Sequence, residues 1–481
     1  MELISPVDAM FLLAESREHP MHVAGLQLFT PPEGAGPEFL RDIYQGLIGN
    51  DDVAPTFRKH PAELLGGIAN VTWAFDRDID LEYHVRRSAL PSPGRVRELL
   101  ELTSRMHGTL LDRHRPLWES HLVEGLNDGR VAIYTKIHHA LIDGVSAMRT
   151  MRRALATDPD DHDVRIMWGT NGRRSGRSKP QPSRFGELVK IAESVAGLGP
   201  SALFLAQKGL VQQQLTLPFG APRTILNVPI GGARRCAAQS WPIARFMAIK
   251  QAAGVTLNDV VLAVCGGALR AYLLEQKALP DKPLIAMVPV SLRDDANSSG
   301  GNQVGALLAS LATDLEDPAK RLAEVSASMR NNKEVFRQLP KLQQIALSAF
   351  NVSPLLLSML APAIGSAAPP FNLVISNVPG SRDPLYWNGA RLDGNYPLSI
   401  ALDGQAMNIT LSNNADNLDF GLVGCRRSVP SLQRMLGHLE DSLTELEWAV
   451  GTVGRKSAVR KAAAPRRKRA AATSPKPVRG S

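Results

Sequence analysis

Hydrophobic positions along this chain change period several times, and each change marks an element. From Val131 to His139 they alternate in twos, as in a strand: Val131, Ile133, Thr135, Ile137 and His139 fall on one side, Ala132, Tyr134, Lys136 and His138 on the other. Trp118 to Leu126 reads as a second strand, and Asn127, Asp128 and Gly129 supply a tight hairpin turn between them. After Gly144 the spacing widens to three and four at Val145, Met148, Met151 and Leu155, which predicts a helix. The second half predicts helices over 257–274 and 318–339, and extended segments over 283–290 and 371–376. Residues 389–423 read as strands broken at Asp393-Gly394, Asp403-Gly404 and Asn413-Asn414. The last helix shows one apolar stripe, Leu432, Met435, Leu436, Leu439, Leu443 and Leu446, which is read as core packing. Between the halves, Asp158 to Ser183 turns acidic, then rich in Gly, Pro and Arg, and reads as an exposed linker. Helices over 185–217 would cross to a second domain starting near Arg234.

Composition adds bounds rather than elements. A chain of 481 residues, 44% hydrophobic and 21% charged, is ordinary for a globular protein of two or three domains. Its three cysteines, Cys236, Cys265 and Cys425, are far apart and suggest neither a disulfide framework nor a metal site. The start, Met-Glu-Leu-Ile-Ser-Pro, lacks the basic and apolar regions of a signal peptide, so a cytoplasmic location is expected. Residues 345–371 are strongly apolar, but Pro354, Pro362, Pro369 and Pro370 interrupt them before a run of the ~20 residues a spanning helix needs. The formal net charge of +9 is concentrated at one end. Ten Lys or Arg and no acid lie between Arg455 and Ser481, leaving 9 − 10 = −1 on the rest. That tail, 454–481, is expected to be disordered and basic. A membrane or lipid-droplet contact is its favoured reading, an inert solubilising tail follows, and nucleic acid is the least favoured.

The end of the 131–139 strand carries the chemistry. A histidine with an unperturbed pKa near ~6.5 can take a proton from a hydroxyl at neutral pH, and His139, ending the apolar row, is the candidate general base. His138 points to the other face, so the two cannot readily share one ion, which argues against a metal site. Asp143 can turn back to brace the backbone or pair with an arginine, Arg58 or Arg293 being the candidates, and Gly144 would permit a tight conformation. The plainer reading is a pair of satisfied core histidines in an ordinary strand–turn–helix. His60, His84, His107 and His162 have no partner at a telling spacing and read as surface or structural, and Pro116-Leu117-Trp118 as a strand entry with a packed tryptophan.

The run His138-His139-Ala140-Leu141-Ile142-Asp143-Gly144 is similar to the HHxxxDG signature of CoA-dependent acyltransferases and peptide-synthetase condensation domains. Further blocks narrow the likeness: Ser5-Pro6-Val7-Asp8 through Glu15, Pro20-Met21-His22-Val23, Arg115-Pro116-Leu117-Trp118, Thr256-Leu257-Asn258-Asp259-Val260-Val261, Met287 through Arg293, Gly301-Asn302-Gln303 and Ser376-Asn377-Val378-Pro379-Gly380. Together they resemble the bacterial wax ester synthase/acyl-CoA:diacylglycerol acyltransferase family over nearly the whole chain except the tail. The resemblance implies two chloramphenicol-acetyltransferase-like α/β sandwich domains around a shared active-site tunnel. These would be 1–157, carrying the signature, and 234–453, joined by 158–233. It also implies transfer of a long acyl chain from CoA to diacylglycerol or a fatty alcohol, by direct attack of a hydroxyl that His139 deprotonates. His138, Asp143 and Gly144 would support the base, and Asn258 is the candidate oxyanion donor, its plainer reading being part of a helix start. Acyl-CoA would be a substrate, with no cofactor, and the enzyme would sit peripherally on the inner face of the membrane or on lipid droplets. Other readings are a carrier-protein-bound acyl donor, or a non-catalytic protein that binds lipid droplets.

Overall fold

The computed structural model describes residues 2–36, 38–62, 72–170, 220–291, 304–338, 344, 347 and 369–452. The first half contributes strands β1 (Glu2–Leu3), β2 (His22–Thr30), β3 (Lys59–Pro61), β4 (Thr72–Phe75), β5 (Val85–Ala89), β6 (Trp118–Glu124) and β7 (Val131–His138). The second contributes β8 (Arg234–Pro242), β9 (Ile285–Ser291), β10 (Val304–Ser310), β11 (Leu373–Ser381), β12 (Tyr386–Trp387), β13 (Ala390–Leu398), β14 (Met407–Asn414) and β15 (Asn417–Cys425). Two six-stranded sheets result, β12-β13-β2-β7-β6-β5 and β10-β9-β11-β14-β15-β8, with a small sheet β1-β4-β3. The helices that matter here are α1 (Pro6–Ala14), α2 (Phe39–Ile48), α3 (Leu81–His84), α4 (Val96–His107), α5 (Gly144–Arg153), α6 (Ile243–Ala253), α7 (Leu257–Glu275), α8 (Pro318–Gln338) and α9 (Arg434–Ala449).

β7 is buried along its whole length, because both of its faces are covered. Ile133 and Ile137 pack with Leu47 of α2 and with Met148 and Met151 of α5. Ala132 and Tyr134, on the opposite face, join a larger core that includes Leu26 of β2, Phe246 of α6, Val261 of α7 and Leu422 of β15. Polar side chains on that second face are therefore enclosed and need partners inside the protein. Lys136, 1% exposed, donates to the carbonyls of Met106 (3.3 Å) and Thr109 (2.9 Å) and lies 3.4 Å from Glu119.

Several expected elements take a different form. The second half does not keep its strands in one sheet: β13 pairs antiparallel with β2, from Arg391↔Thr30 to Leu398↔Ala24, so 386–398 complete the first sheet. A period of two assigns faces but not partners, which is why dividing the chain at 157 and 234 does not divide the sheets. Asp393-Gly394 is no break but a bulge inside β13, where the register skips from Leu392↔Phe29 to Gly394↔Leu28. The β6–β7 connection is longer than a two-residue hairpin, because Gly125 turns out of the strand with φ +88°. Part of the predicted linker is core: Ile166, Met167 and Trp168 are buried, Trp168 stacks on Trp118 at 4.7 Å, and its carbonyl accepts from Ala54 N–H at 2.8 Å. The predicted helices over 185–217, most of the apolar 345–371 segment and the basic tail lie outside the described residues.

The two large sheets meet where β13 lies against β15. Asn395 N–H donates to the Asp419 carboxylate at 2.6 Å, and the Tyr396 hydroxyl meets Ser240 at 3.0 Å. Gly421 permits the close approach, since a Cβ there would overlap the Pro397 carbonyl oxygen.

Candidate active site

β7 ends by delivering two histidines into different surroundings. In the sheet, His138 is paired with His22 of β2, and the chain turns at once: His139 N–H donates to Met21 O (2.8 Å) and Leu141 N–H to His138 O (2.9 Å). The His138 ring is fully buried, and its Nδ1 accepts from Ala140 N–H at 3.1 Å. That bond assigns the proton to Nε2, which lies 3.3 Å from Glu15 Oε1. Glu15 follows directly on α1 and has a side chain only 2% exposed. Its second oxygen receives Arg113 at 3.0–3.1 Å, and Oε1 also accepts from Met21 N–H at 3.2 Å. Burial by itself raises the Glu15 carboxyl, but His138, Arg113 and the Met21 amide outweigh it and hold the group below the usual glutamate range.

The His139 ring lies flat against Phe11 of α1, with centroids 4.1 Å apart and 17° between the planes. It is half-buried, and no described hydrogen bond ties it to another residue's side chain. Burial pushes its pKa down to about 4, against the upward pull of Asp143, with His138 adding to the depression. The imidazole is therefore neutral at pH 7, the form a base requires.

Asp143 braces the backbone. It is the N-cap of α5, Oδ1 accepting from Ser146 N–H at 2.8 Å and Oδ2 from the Ser146 hydroxyl at 3.0 Å. Its negative charge reaches His139 from there. Of the two arginines expected to pair with it, Arg58 is engaged elsewhere, donating to the carbonyls of Val53, Asp51 and Arg77, and Arg293 lies outside the described residues. Gly144 is not in the left-handed conformation expected of a tight turn; it opens α5, and a Cβ there would meet open space among the described residues. Asn258 sits half-buried in the first turn of α7, which Thr256 and Asp259 cap reciprocally. A cavity of about 680 Å³ opens beside that turn, lined in part by Thr256, Ser326 and Arg330. No described contact joins Asn258 to His139.

Trp118 is a packed tryptophan: its indole donates to Phe57 O at 2.8 Å, and its faces stack on His84 and Trp168. His84 and His107 are buried and bonded to Trp118 O and the Tyr134 hydroxyl, at 2.8 and 2.9 Å, as structural histidines would be. His162 is exposed. Three residues that shape the site carried no sequence signal of their own. Glu15 and Met21 were visible only as members of N-terminal blocks, and Phe11 as an apolar position. Nothing local connects them to a strand more than a hundred residues away.

Two α/β halves sharing one core, with a histidine pair closing a central strand and an aspartate capping the next helix, define an acyltransferase of the HHxxxDG type. The wax ester synthase/diacylglycerol acyltransferase catalytic domain matches residues 4–261, and the C-terminal domain of the same proteins matches 300–447. The chain belongs to the wax ester synthase/diacylglycerol acyltransferase family. A probable diacylglycerol O-acyltransferase of Mycobacterium tuberculosis is 63% identical over 94% of this chain and 100% of its own, and a putative one of Mycobacterium bovis is 41% identical over 93% and 90%. The wax ester synthase/diacylglycerol acyltransferase of Marinobacter aquaeolei VT8 superposes with a TM-score of 0.76 at 42% identity, covering 94% of this chain and all of that one. The first condensation domain of the calcium-dependent antibiotic synthetase shares the fold alone, at TM-score 0.58 and 16% identity over 93% and 96% of the two chains.

Proposed function

We propose that this acyltransferase moves a long-chain acyl group from CoA to the free hydroxyl of diacylglycerol, making triacylglycerol, with wax ester formation from fatty alcohols as a second activity. The observation that carries the proposal is the open, neutral His139 within an intact His-His-x3-Asp-Gly run of a family member whose relatives bear that activity in their names. His139 takes the acceptor's proton as its oxygen attacks the thioester carbonyl. The tetrahedral oxyanion then collapses, the carbon–sulfur bond breaks, and the departing thiolate takes the proton from the imidazolium. No acyl-enzyme is needed. Stacking on Phe11 orients the base. Asp143 stabilises the imidazolium by its charge, His138 and Glu15 hold the turn, and Gly144 leaves room beside it. Asn258, at the positive end of α7, is the proposed oxyanion donor. The basic tail would keep the cytoplasmic enzyme on a membrane or droplet surface, where its acceptor is.

The test supplies palmitoyl-CoA with dioleoylglycerol or with hexadecanol, following thiol release and lipid products together. Wild type should form triacylglycerol, and His139→Ala should lose ~10²- to 10⁴-fold in kcat with its melting temperature kept. Equal background in both proteins would turn the assignment toward a carrier-bound donor or a non-catalytic lipid-binding role.

A further inference from the structure

The chain between Glu15 and Met21, which touches both histidines, is fastened to the second half. Arg234, 4% exposed at the start of β8, donates to the carbonyls of Gly231, Glu18 (2.7 Å) and Ala401 (3.2 Å), and His19 meets Asp403 at 3.0 Å. Glycines let the backbones touch. A Cβ on Gly232 would overlap the Arg17 carbonyl oxygen, and one on Gly108 would come within 3.2 Å of Gly232 O. Over this seam opens a cavity of about 790 Å³. Its described lining includes Arg17, Arg105, Arg234, Arg235 and Arg426, against the carboxylates Glu18 and Glu101, a balance of 5 − 2 = +3. Glu101 is already paired with Arg97 at 3.2 Å. Arg17, Arg105, Arg235 and Arg426 have no carboxylate within ion-pairing distance among the described residues, and Arg17, Arg105 and Arg426 are exposed. The cavity beside α7 is weaker, with Arg330, Lys333 and Arg337 set against Asp259 and Glu334, 3 − 2 = +1, and draws on the second half alone.

Clustered guanidinium groups repel one another unless an anion joins them, and their planar forks match phosphate oxygens two at a time. We infer that the seam cavity binds the phosphates of the acyl donor, the 3′-phosphate and diphosphate of coenzyme A's nucleotide end. The inference rests on the proposed use of acyl-CoA. Arg105 and Arg426, one from each half, grip the phosphates, Arg17 completes the cradle, and Arg234 holds the scaffold. Arg17 stands two residues from Glu15, so the phosphate site and the turn that seats both histidines share one stretch of chain.

The test compares wild type with Arg105→Ala/Arg426→Ala, whose altered side chains are exposed and make no described hydrogen bond. Calorimetric titration with 3′-phospho-ADP and initial rates with palmitoyl-CoA, its dephospho form lacking the 3′-phosphate, and palmitoyl-pantetheine lacking the nucleotide are the readouts. The double variant should bind 3′-phospho-ADP ~10- to 100-fold more weakly and raise the KM for palmitoyl-CoA by a similar factor, with kcat within ~2-fold. The ratio of variant to wild-type kcat/KM should return toward one with palmitoyl-pantetheine. An unchanged KM and unchanged 3′-phospho-ADP binding in the variant overturn the inference. So does a variant that loses binding to phosphatidate vesicles while keeping its KM, which would assign the arginines to a lipid headgroup. A wild type that binds 3′-phospho-ADP through these arginines but does not turn over palmitoyl-CoA leaves the phosphate site standing and removes the proposed function instead.

Discussion

Glu15 shows how far a single side chain can act from its place in the sequence. It joins Arg113, the Met21 amide and His138, so Glu15→Gln leaves a guanidinium and an imidazole N–H facing a neutral amide. Breaking such a buried pair should cost about 1–3 kcal/mol in urea unfolding and lower kcat ~10-fold, with KM for acyl-CoA nearly unchanged. Asp143 allows a cleaner electrostatic test. Asparagine caps helices as well as aspartate, so Asp143→Asn should keep the α5 cap while removing the charge that raises the His139 pKa. In wild type, kcat/KM should climb as pH rises through about 4, where His139 becomes neutral, and stay level to pH 7. In Asp143→Asn that limb should move to lower pH; a limb that stays put would separate Asp143 from the base. His139 and Asp143 could be picked out beforehand because they are four residues apart. Arg58 could not be excluded, because its engagement with three carbonyls depends on loops that only the folded chain brings together.

At the level of elements, the helices and strands with strong periodicity took their expected places. α7, α8 and α9 match their apolar spacing within a few residues, and α5 buries Ala147, Met148 and Met151 as the 145–155 pattern requires. What periodicity could not supply was pairing. β13 carries alternating apolar residues that would fit either sheet, and it is Leu392, Tyr396 and Leu398 packed beside β2 that place it in the first. Its contact with β15 has no slack at Gly421, so Gly421→Ala should destabilise the protein by about 1–3 kcal/mol while leaving the far-UV circular dichroism of the folded state unchanged. A neutral effect would mean that the sheets can separate slightly without loss.

For the whole molecule, several histidines in and beside the shared core have depressed pKa values. Burial lowers the pKa of His22 well below its ordinary value, of His107 to about 3 and of His139 to about 4. Each sits below the unfolded value of ~6.5, so the unfolded chain binds more protons throughout the interval between, and stability is lost as pH falls through it. His107 alone should remove about 2 kcal/mol between pH 7 and 5. Asp419 works the other way: burial raises its pKa to about 6, so it favours the fold at acid pH and loses that contribution as pH rises from ~3.8 to 6. One group against three leaves the sign with the histidines. The urea midpoint should drop from pH 7 to pH 5, and a constant midpoint would mean that these rings gain protons without unfolding.

Sequence by itself determined the things that depend on neighbours in the chain: the periods of strand and helix, the cap of α5, the paired histidines at a strand end, and the ordered blocks that carry the family likeness. Tertiary structure decided the things that depend on which distant surfaces exclude water together. It moved β13 into the first sheet, enclosed both faces of β7 so that Lys136 and His138 required partners, and brought Glu15 and Phe11 to the two histidines. It also gathered arginines from both halves over one seam. Spacing specifies local geometry because the backbone repeats. A partner a hundred residues away is chosen by burial and by the need to satisfy enclosed charge, and neither is written in any local run of residues.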